Sequence, residues 1–252
     1  MDNEQRINGI MKDLKDNTLG LDDTFTFKCR VCGKCCKNRQ DILLTPRDLF
    51  NIAKDLGRTI IEILDRYCES YIGESSRIPI IRLKPLGYEN ACPFLMGKRC
   101  IVHKSKPAVC ALFPLGRATV RSKEGVSIDP TANIQSTYFV QPVKCGSSEP
   151  QTYTVRSWLE DFGLPVDDEF YILWTQTTIF LSEYFRNLEA HKTPANMLNQ
   201  LWNVTFTVLY TNYDSGSDFV AQFREHASTL KKMLTLLGSK AHGLTGGAPD
   251  GE

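Results

Sequence analysis

No run of eighteen apolar residues occurs anywhere in this 252-residue chain, so no helix is expected to span a membrane. Neither sign of charge is in excess. Thirty lysines and arginines face 29 acids, a net charge of +1, which argues against bulk attraction to nucleic acid or anionic lipid. Lys34, Lys37 and Arg39 are not interleaved with aromatics, so they offer no base-stacking platform and read as solvated charge. The opening stretch, MDNEQRINGIMKDLKDNTLG, lacks the apolar run of a signal peptide. The expected setting is therefore a reducing cytoplasm. G-x-G-x-x-G, G-x-S-x-G, P-loop and H-E-x-x-H patterns are all missing, and there is no internal repeat. Histidine is scarce: His103, His191, His226 and His242 are the full set, and nothing in their spacing places one beside a particular thiol as a base. The remaining composition, 42% hydrophobic and 23% charged, is ordinary for a globular chain of a length that folds without staples.

Cysteine is what stands out. There are nine: Cys29, Cys32, Cys35, Cys36, Cys68, Cys92, Cys100, Cys110 and Cys145. In a reducing compartment an odd number of clustered cysteines points to metal ligation or thiol chemistry rather than to disulfides. The first four form a C-x2-C-x2-C-C run. A C-x2-C step turns the backbone so that two sulfurs converge, and another x2 step extends the wrap. Iron–sulfur proteins use such runs, with a further ligand arriving from far away, whereas structural zinc sites favour two separated pairs. Soft thiolates select zinc, copper(I) and iron over magnesium or calcium. Cys35 and Cys36 are adjacent, and neighbouring side chains are expected to diverge, so Cys36 is assigned to a second metal, to a bridge or to a free thiol. Cys92, Cys100, Cys110 and Cys145 supply four more sulfurs. Eight satisfy two four-cysteine sites, or one cluster plus a second metal. His103, in CIVHK, offers one extra ligand, but it reads rather as a packing or solvent-facing histidine. Cys68 is expected inside a helix as a small buried hydrophobe.

Secondary structure follows from local signals. Apolar spacing at Ile7, Ile10, Met11 and Leu14 allows a short N-terminal helix, and Thr24 to Phe27 alternates as a strand. Thr45-Pro46-Arg47-Asp48 sets a hydroxyl cap, a first-turn proline and an acid, starting a helix that Gly57 ends. Thr59-Ile60-Ile61-Glu62 is a capping box opening a second helix. Ile78 to Leu83, Arg117 to Arg121 and Thr137 to Val140 read as strands. Residues 92–117, rich in cysteine and proline, read as loops with short turns. After about Tyr153 cysteine disappears and helices are expected at 155–162, after Asp168, after Thr193-Pro194 (with Met197, Leu201, Val204 and Val208 inside) and over 218–237, with Gly238 as a stop. The tail from Gly243 is small and polar and reads as disordered.

Three stretches in order, FKCRVCGKCCKNRQDILLTPRDL, ACPFLMGKRCIVHKSKPAVCALFPL and CG…YTVRSWLE, resemble the YkgJ-like cysteine-cluster proteins, the CxxCxxCC zinc- or iron-chelating domain family. The likeness spans about residues 25 to 160. It rests on Cys29, Cys32, Cys35, Cys36, Thr45, Asp48, Cys92, Cys100, Cys110, Phe113, Pro114 and Cys145. Cys145 is followed directly by Gly146, where relatives often place a proline between them. The resemblance implies metal or iron–sulfur binding by the eight cysteines other than Cys68. A distant branch is similar to the flagellin lysine N-methylases, which join such cysteines with S-adenosylmethionine and an iron–sulfur cluster; ALFPLGR here is similar to their TC-x2-YPR turn.

The expectation is a mainly α protein with a few short strands. An N-terminal segment (1–24) leads to a loop-rich, metal-organised cysteine-cluster domain (25–150), then a helical domain (151–242) and a tail (243–252). The expected cofactor is an iron–sulfur cluster or iron, with zinc as the alternative. Two other readings are an S-adenosylmethionine-dependent lysine N-methylase-like enzyme and a structural zinc module that presents its helices to a protein partner.

Overall fold

The structure, a computed structural model, describes residues 18–30, 32–38, 42–121, 134–141, 145–146 and 148–243. The expected N-terminal helix and the tail beyond Gly243 lie outside these residues. Seven α-helices and ten short strands occur among them: β1 Thr18–Leu19, β2 Thr24–Phe27, β3 Leu43–Leu44, α1 Pro46–Leu56, α2 Ile60–Tyr67, β4 Cys68–Ile72, β5 Pro79–Leu83, β6 Leu95–Met96, β7 Arg99–Cys100, α3 Ala108–Leu112, β8 Leu115–Arg121, β9 Ile134–Val140, β10 Gln151–Thr154, α4 Val155–Asp161, α5 Glu169–Ala190, α6 Ala195–Tyr210 and α7 Phe219–Gly243. The mainly α expectation holds. All described strand pairs are antiparallel, in the orders β1-β9-β8, β10-β2, β3-β5-β4 and β6-β7. Among the described residues no helix is long and apolar enough to cross a membrane.

Both capping boxes read from the sequence form. The Thr45 and Thr59 hydroxyls accept from the backbone of Asp48 and Glu62, whose carboxylates reach back to the cap N–H groups. Gly57 ends α1 in the left-handed conformation at φ 59°. Cys68 departs from expectation. It caps α2 and opens β4, because its extended backbone pairs with Leu83, though its side chain is buried as anticipated. Two further corrections concern the last helices. Val204 is 38% exposed; Leu201 is buried as expected and Met197 and Val208 are half-buried against the core, while Leu198, Thr205 and Leu209, each one step on from the expected stripe, are buried. Gly238 does not stop α7, which continues to Gly243; a single glycine costs a helix only about 1 kcal/mol.

Two hydrophobic cores result. The larger joins α1, α2 and the β3-β5-β4 sheet to α5, α6 and α7, so it draws on both sides of residue 150. Phe50 of α1 meets Phe219 of α7 at 5.1 Å between ring centroids, and Phe219 meets Phe170 of α5 at 5.2 Å. The smaller core holds Phe25 and Phe27 of β2, Leu112, Leu115, Tyr138 and α4. Both β2 rings stand edge-on to Trp158, at 5.4 and 6.0 Å.

A buried ion cluster links the two. Asp168 caps α5 by accepting from the Tyr171 N–H. It also takes both Arg47 nitrogens, at 2.7 and 2.6 Å, and Arg117 of β8 at 3.2 Å. Burial alone would raise the Asp168 pKa; the Arg47 hydrogen bonds and charge, joined by Arg117, outweigh it and hold the carboxyl below its ordinary value. The sequence marked Asp168 only as a helix start.

Candidate metal centre

The cysteine run is set by one glycine. Gly33 adopts φ 69°, a left-handed turn that side chains resist, and a 3-10 turn follows over Lys34–Cys36 with the Cys36 N–H on the Gly33 carbonyl at 3.0 Å. That tight turn brings the Cys35 and Cys36 sulfurs to 3.9 Å. The expected divergence of these neighbours does not occur. Thiolates sharing one tetrahedral zinc at about 2.3 Å stand roughly 3.8 Å apart, so the pair has the spacing of one edge of such a site.

Backbone bonds then tie the distant cysteines to this run. The Cys92 N–H donates to the Cys36 carbonyl at 2.7 Å, and Lys37 pairs with Glu89 at 2.7 Å just beside it. Beyond Cys92, the Leu95 N–H returns to its carbonyl at 3.0 Å. The β6-β7 hairpin follows, turning at Gly97 (φ 62°), and pairs Leu95 with Cys100. Phe94 anchors this loop: it is fully buried, and its ring lies 4.7 Å from Tyr67. Cys110 rides on α3. Cys145 precedes Gly146, whose φ of 121° is a conformation that side chains resist, which explains why glycine follows the cysteine directly.

The residues Cys29, Cys32, Cys35, Cys36, Cys92, Cys100, Cys110 and Cys145 all line one cavity of about 300 Å³. Cys68 does not. The walls come from both cores, with Leu83, Phe94 and Val102 on one side and Phe27, Trp158 and Phe162 on the other. Arg30, Lys98, His103 and Lys106 also line it, and among the described residues no carboxylate does. His103 is exposed, as its solvent-facing reading expected, and also lines the cavity. Among the described residues no disulfide forms; Cys29 is exposed, and the other seven cavity cysteines are half-buried. Among the described residues no three histidine, cysteine, aspartate or glutamate side chains are already gathered into an ion-sized group.

The electrostatics are uneven. The Cys32 thiol lies below its ordinary value because the Lys34 backbone N–H donates to its sulfur, against some burial, with help from Arg30. The hydrogen bond with Cys35, then burial, pushes Cys36 strongly up. Burial raises Cys92, Cys100 and Cys145. Lys106 is lowered by burial, while the charges of Cys110, Cys100, Cys29 and Cys35 pull it back up. Its ammonium sits 3.9 Å from the Phe162 ring centroid. These donors suit a soft cation. Thiolates gathered in a partly apolar cavity carry surplus negative charge, and the cationic rim offsets it.

Sequence reasoning gave Asp48 only as a helix-start acid in the family-like pattern and Trp158 only as part of the YTVRSWLE stretch, and missed what both do beside this site. Asp48 and Trp158 both reach the backbone of α3, and nothing in the chain's periodicity indicates such long-range bonds.

Residues 28–145 match the family model described as "CxxCxxCC: Putative zinc- or iron-chelating domain". No curated protein and no solved structure matches the chain. The matched segment supplies all eight cavity cysteines and is similar to the CxxCxxCC cysteine-cluster family, consistent with the YkgJ-like resemblance.

Proposed function

We propose that the chain is a metalloprotein in which the eight cavity cysteines hold more than one thiolate-bound metal centre, iron or an iron–sulfur cluster in preference to zinc. One observation carries this. Eight sulfur-bearing residues, spread over 117 positions from Cys29 to Cys145, line a single cavity, and the ninth cysteine stays in the hydrophobic core. One tetrahedral ion takes four ligands, so eight exceed the needs of a single ion. The C-x2-C-x2-C run favours the iron–sulfur arrangement, and the Cys35–Cys36 spacing allows these two thiolates to meet at one ion.

Bound there, the metal supplies a soft, positively charged centre. The chain's own groups do the rest. The thiols give up their protons, Lys106 and Arg30 offset the negative charge, and Phe27, Phe94 and Trp158 limit water access. Because burial raises Cys92, Cys100 and Cys145, loading must expel their protons, and affinity falls as pH is lowered from about 8 to about 6.

Anaerobic purification with metal analysis and visible absorption tests the reading. A brown protein with several irons per chain and sulfide supports it. A colourless protein with one or two zincs replaces the iron assignment by zinc, and a folded protein that takes up neither metal overturns metal binding.

A further inference from the structure

Helix α3 carries Cys110, yet at five residues it is too short to persist on its own, and its N-cap, Pro107, provides no side-chain bond. Its two ends are held from elsewhere. At the start, the Ala108 N–H donates to Asp48 Oδ1 at 2.8 Å. The other oxygen of that carboxylate, Oδ2, accepts from the Thr45 N–H at 2.8 Å and from its hydroxyl at 2.7 Å. At the end, the Trp158 indole N–H is shared between the carbonyls of Ala111 (3.2 Å) and Leu112 (3.1 Å). Both side chains are buried, Asp48 at 5% exposure and Trp158 at 4%, so water has little access to replace these bonds.

The second capping box serves as a comparison. Glu62 makes the same reciprocal bonds with Thr59 that Asp48 makes with Thr45, but it is exposed and its further ion pair is with Arg58 of the adjoining turn. One box only starts a helix. The other starts a helix and grips a cysteine-bearing segment sixty residues away.

We propose that Asp48 and Trp158 are positioning residues for Cys110: by clamping α3 at both ends, one from each core, they fix where its sulfur faces the cavity and so set metal affinity. This rests on the metal-binding reading above. With either grip removed, α3 must be ordered when metal binds, and that ordering is subtracted from affinity. Groups that orient a ligand in this way typically alter metal affinity by about 10- to 100-fold.

The test measures zinc affinity of the full chain by competition with a chromophoric chelator, together with the thiolate-to-cobalt absorption of the cobalt(II)-loaded protein. Asp48→Asn keeps the size of the side chain, and Trp158→Phe keeps the ring but not the N–H. Each is expected to weaken zinc by about tenfold or more and to reduce cobalt–thiolate absorption. Glu62→Gln is expected to leave zinc affinity within about twofold, as is adding either substitution to Cys110→Ser, because both act through the same sulfur. Wild-type affinity in Asp48→Asn and Trp158→Phe overturns the proposal. So does an equal loss with and without Cys110, which assigns them to general stability. A wild-type chain that takes up no zinc, cobalt or iron instead overturns the metal reading, and the clamp's role with it.

Discussion

Around α5, α6 and α7 the interior needs no partner beyond itself. Phe170, Leu181, Phe185, Phe223 and Leu234 are at most 1% exposed, and their rings interlock edge to face. On the cysteine side the strands are short and sparse (six of the ten described strands have two to four residues, and all ten lie in two- or three-stranded sheets), and the cavity is lined by eight thiols, seven of them half-buried, with four basic side chains. Thiols are weak hydrogen-bond formers, and once ionised they repel one another. The helical side is thus closed by apolar burial, while the cysteine side sets its thiols beside a smaller apolar core and, on the function proposed above, is completed by a cation. The two are joined at Asp168, where α1, α5 and β8 meet.

The sharpest way to break this contrast is to remove the metal. Chelation should strip hydrogen-exchange protection from the segments bearing Cys29–Cys36 and Cys92–Cys110 while α5–α7 stay protected; structural zinc sites bind with on the order of 10 kcal/mol, all of it available to folding. Cys32→Ser or Cys110→Ser should lower metal content in the same direction. Uniform protection after full metal removal would mean that the cysteine side is self-sufficient.

The converse substitution is Phe223→Ala, which opens a cavity in the larger core. It should cost about 4 kcal/mol in denaturant unfolding and leave metal stoichiometry unchanged. If metal is lost in proportion, the two sides are less separable than their interiors imply.

Asp168→Asn tests the joint. It leaves two buried guanidinium groups without their carboxylate and should cost about 3 kcal/mol at neutral pH. The folded carboxyl has a lowered pKa, so its stabilisation is present above the ordinary value of 3.8 and is lost as pH falls through the lower folded value. The gap between wild type and variant should therefore close below about pH 3.9. A gap that persists in acid would locate the effect in packing.

The smallest effect is expected at Cys68, whose thiol burial pushes up to about 12. Cys68→Ala should cost about 1 kcal/mol and leave the metal count unaltered; a drop in metal would place Cys68 in the centre.

Legibility from the sequence followed the range of the forces involved. The two capping boxes, Gly57 and the strand at β2 were readable because hydroxyl, carboxylate and backbone N–H lie within four residues of one another. Cys68 as a core residue was readable, but its strand was not, since β4 exists only through pairing with β5. The rotation of the α6 stripe from Val204 to Thr205 depends on where α7 and the β3-β5-β4 sheet approach it, and the continuation of α7 past Gly238 overrides a local stop.

The order and spacing of the cysteines, by themselves, determined that this chain has a thiol-rich segment suited to soft metals and that Cys68 stands apart, because ligand chemistry and short turns are local properties. Tertiary structure alone decided that eight cysteines meet at one cavity between two cores and that Asp48 and Trp158 hold the helix of Cys110. Those outcomes depend on contacts between residues tens of positions apart, whose geometry is set only when the two cores pack.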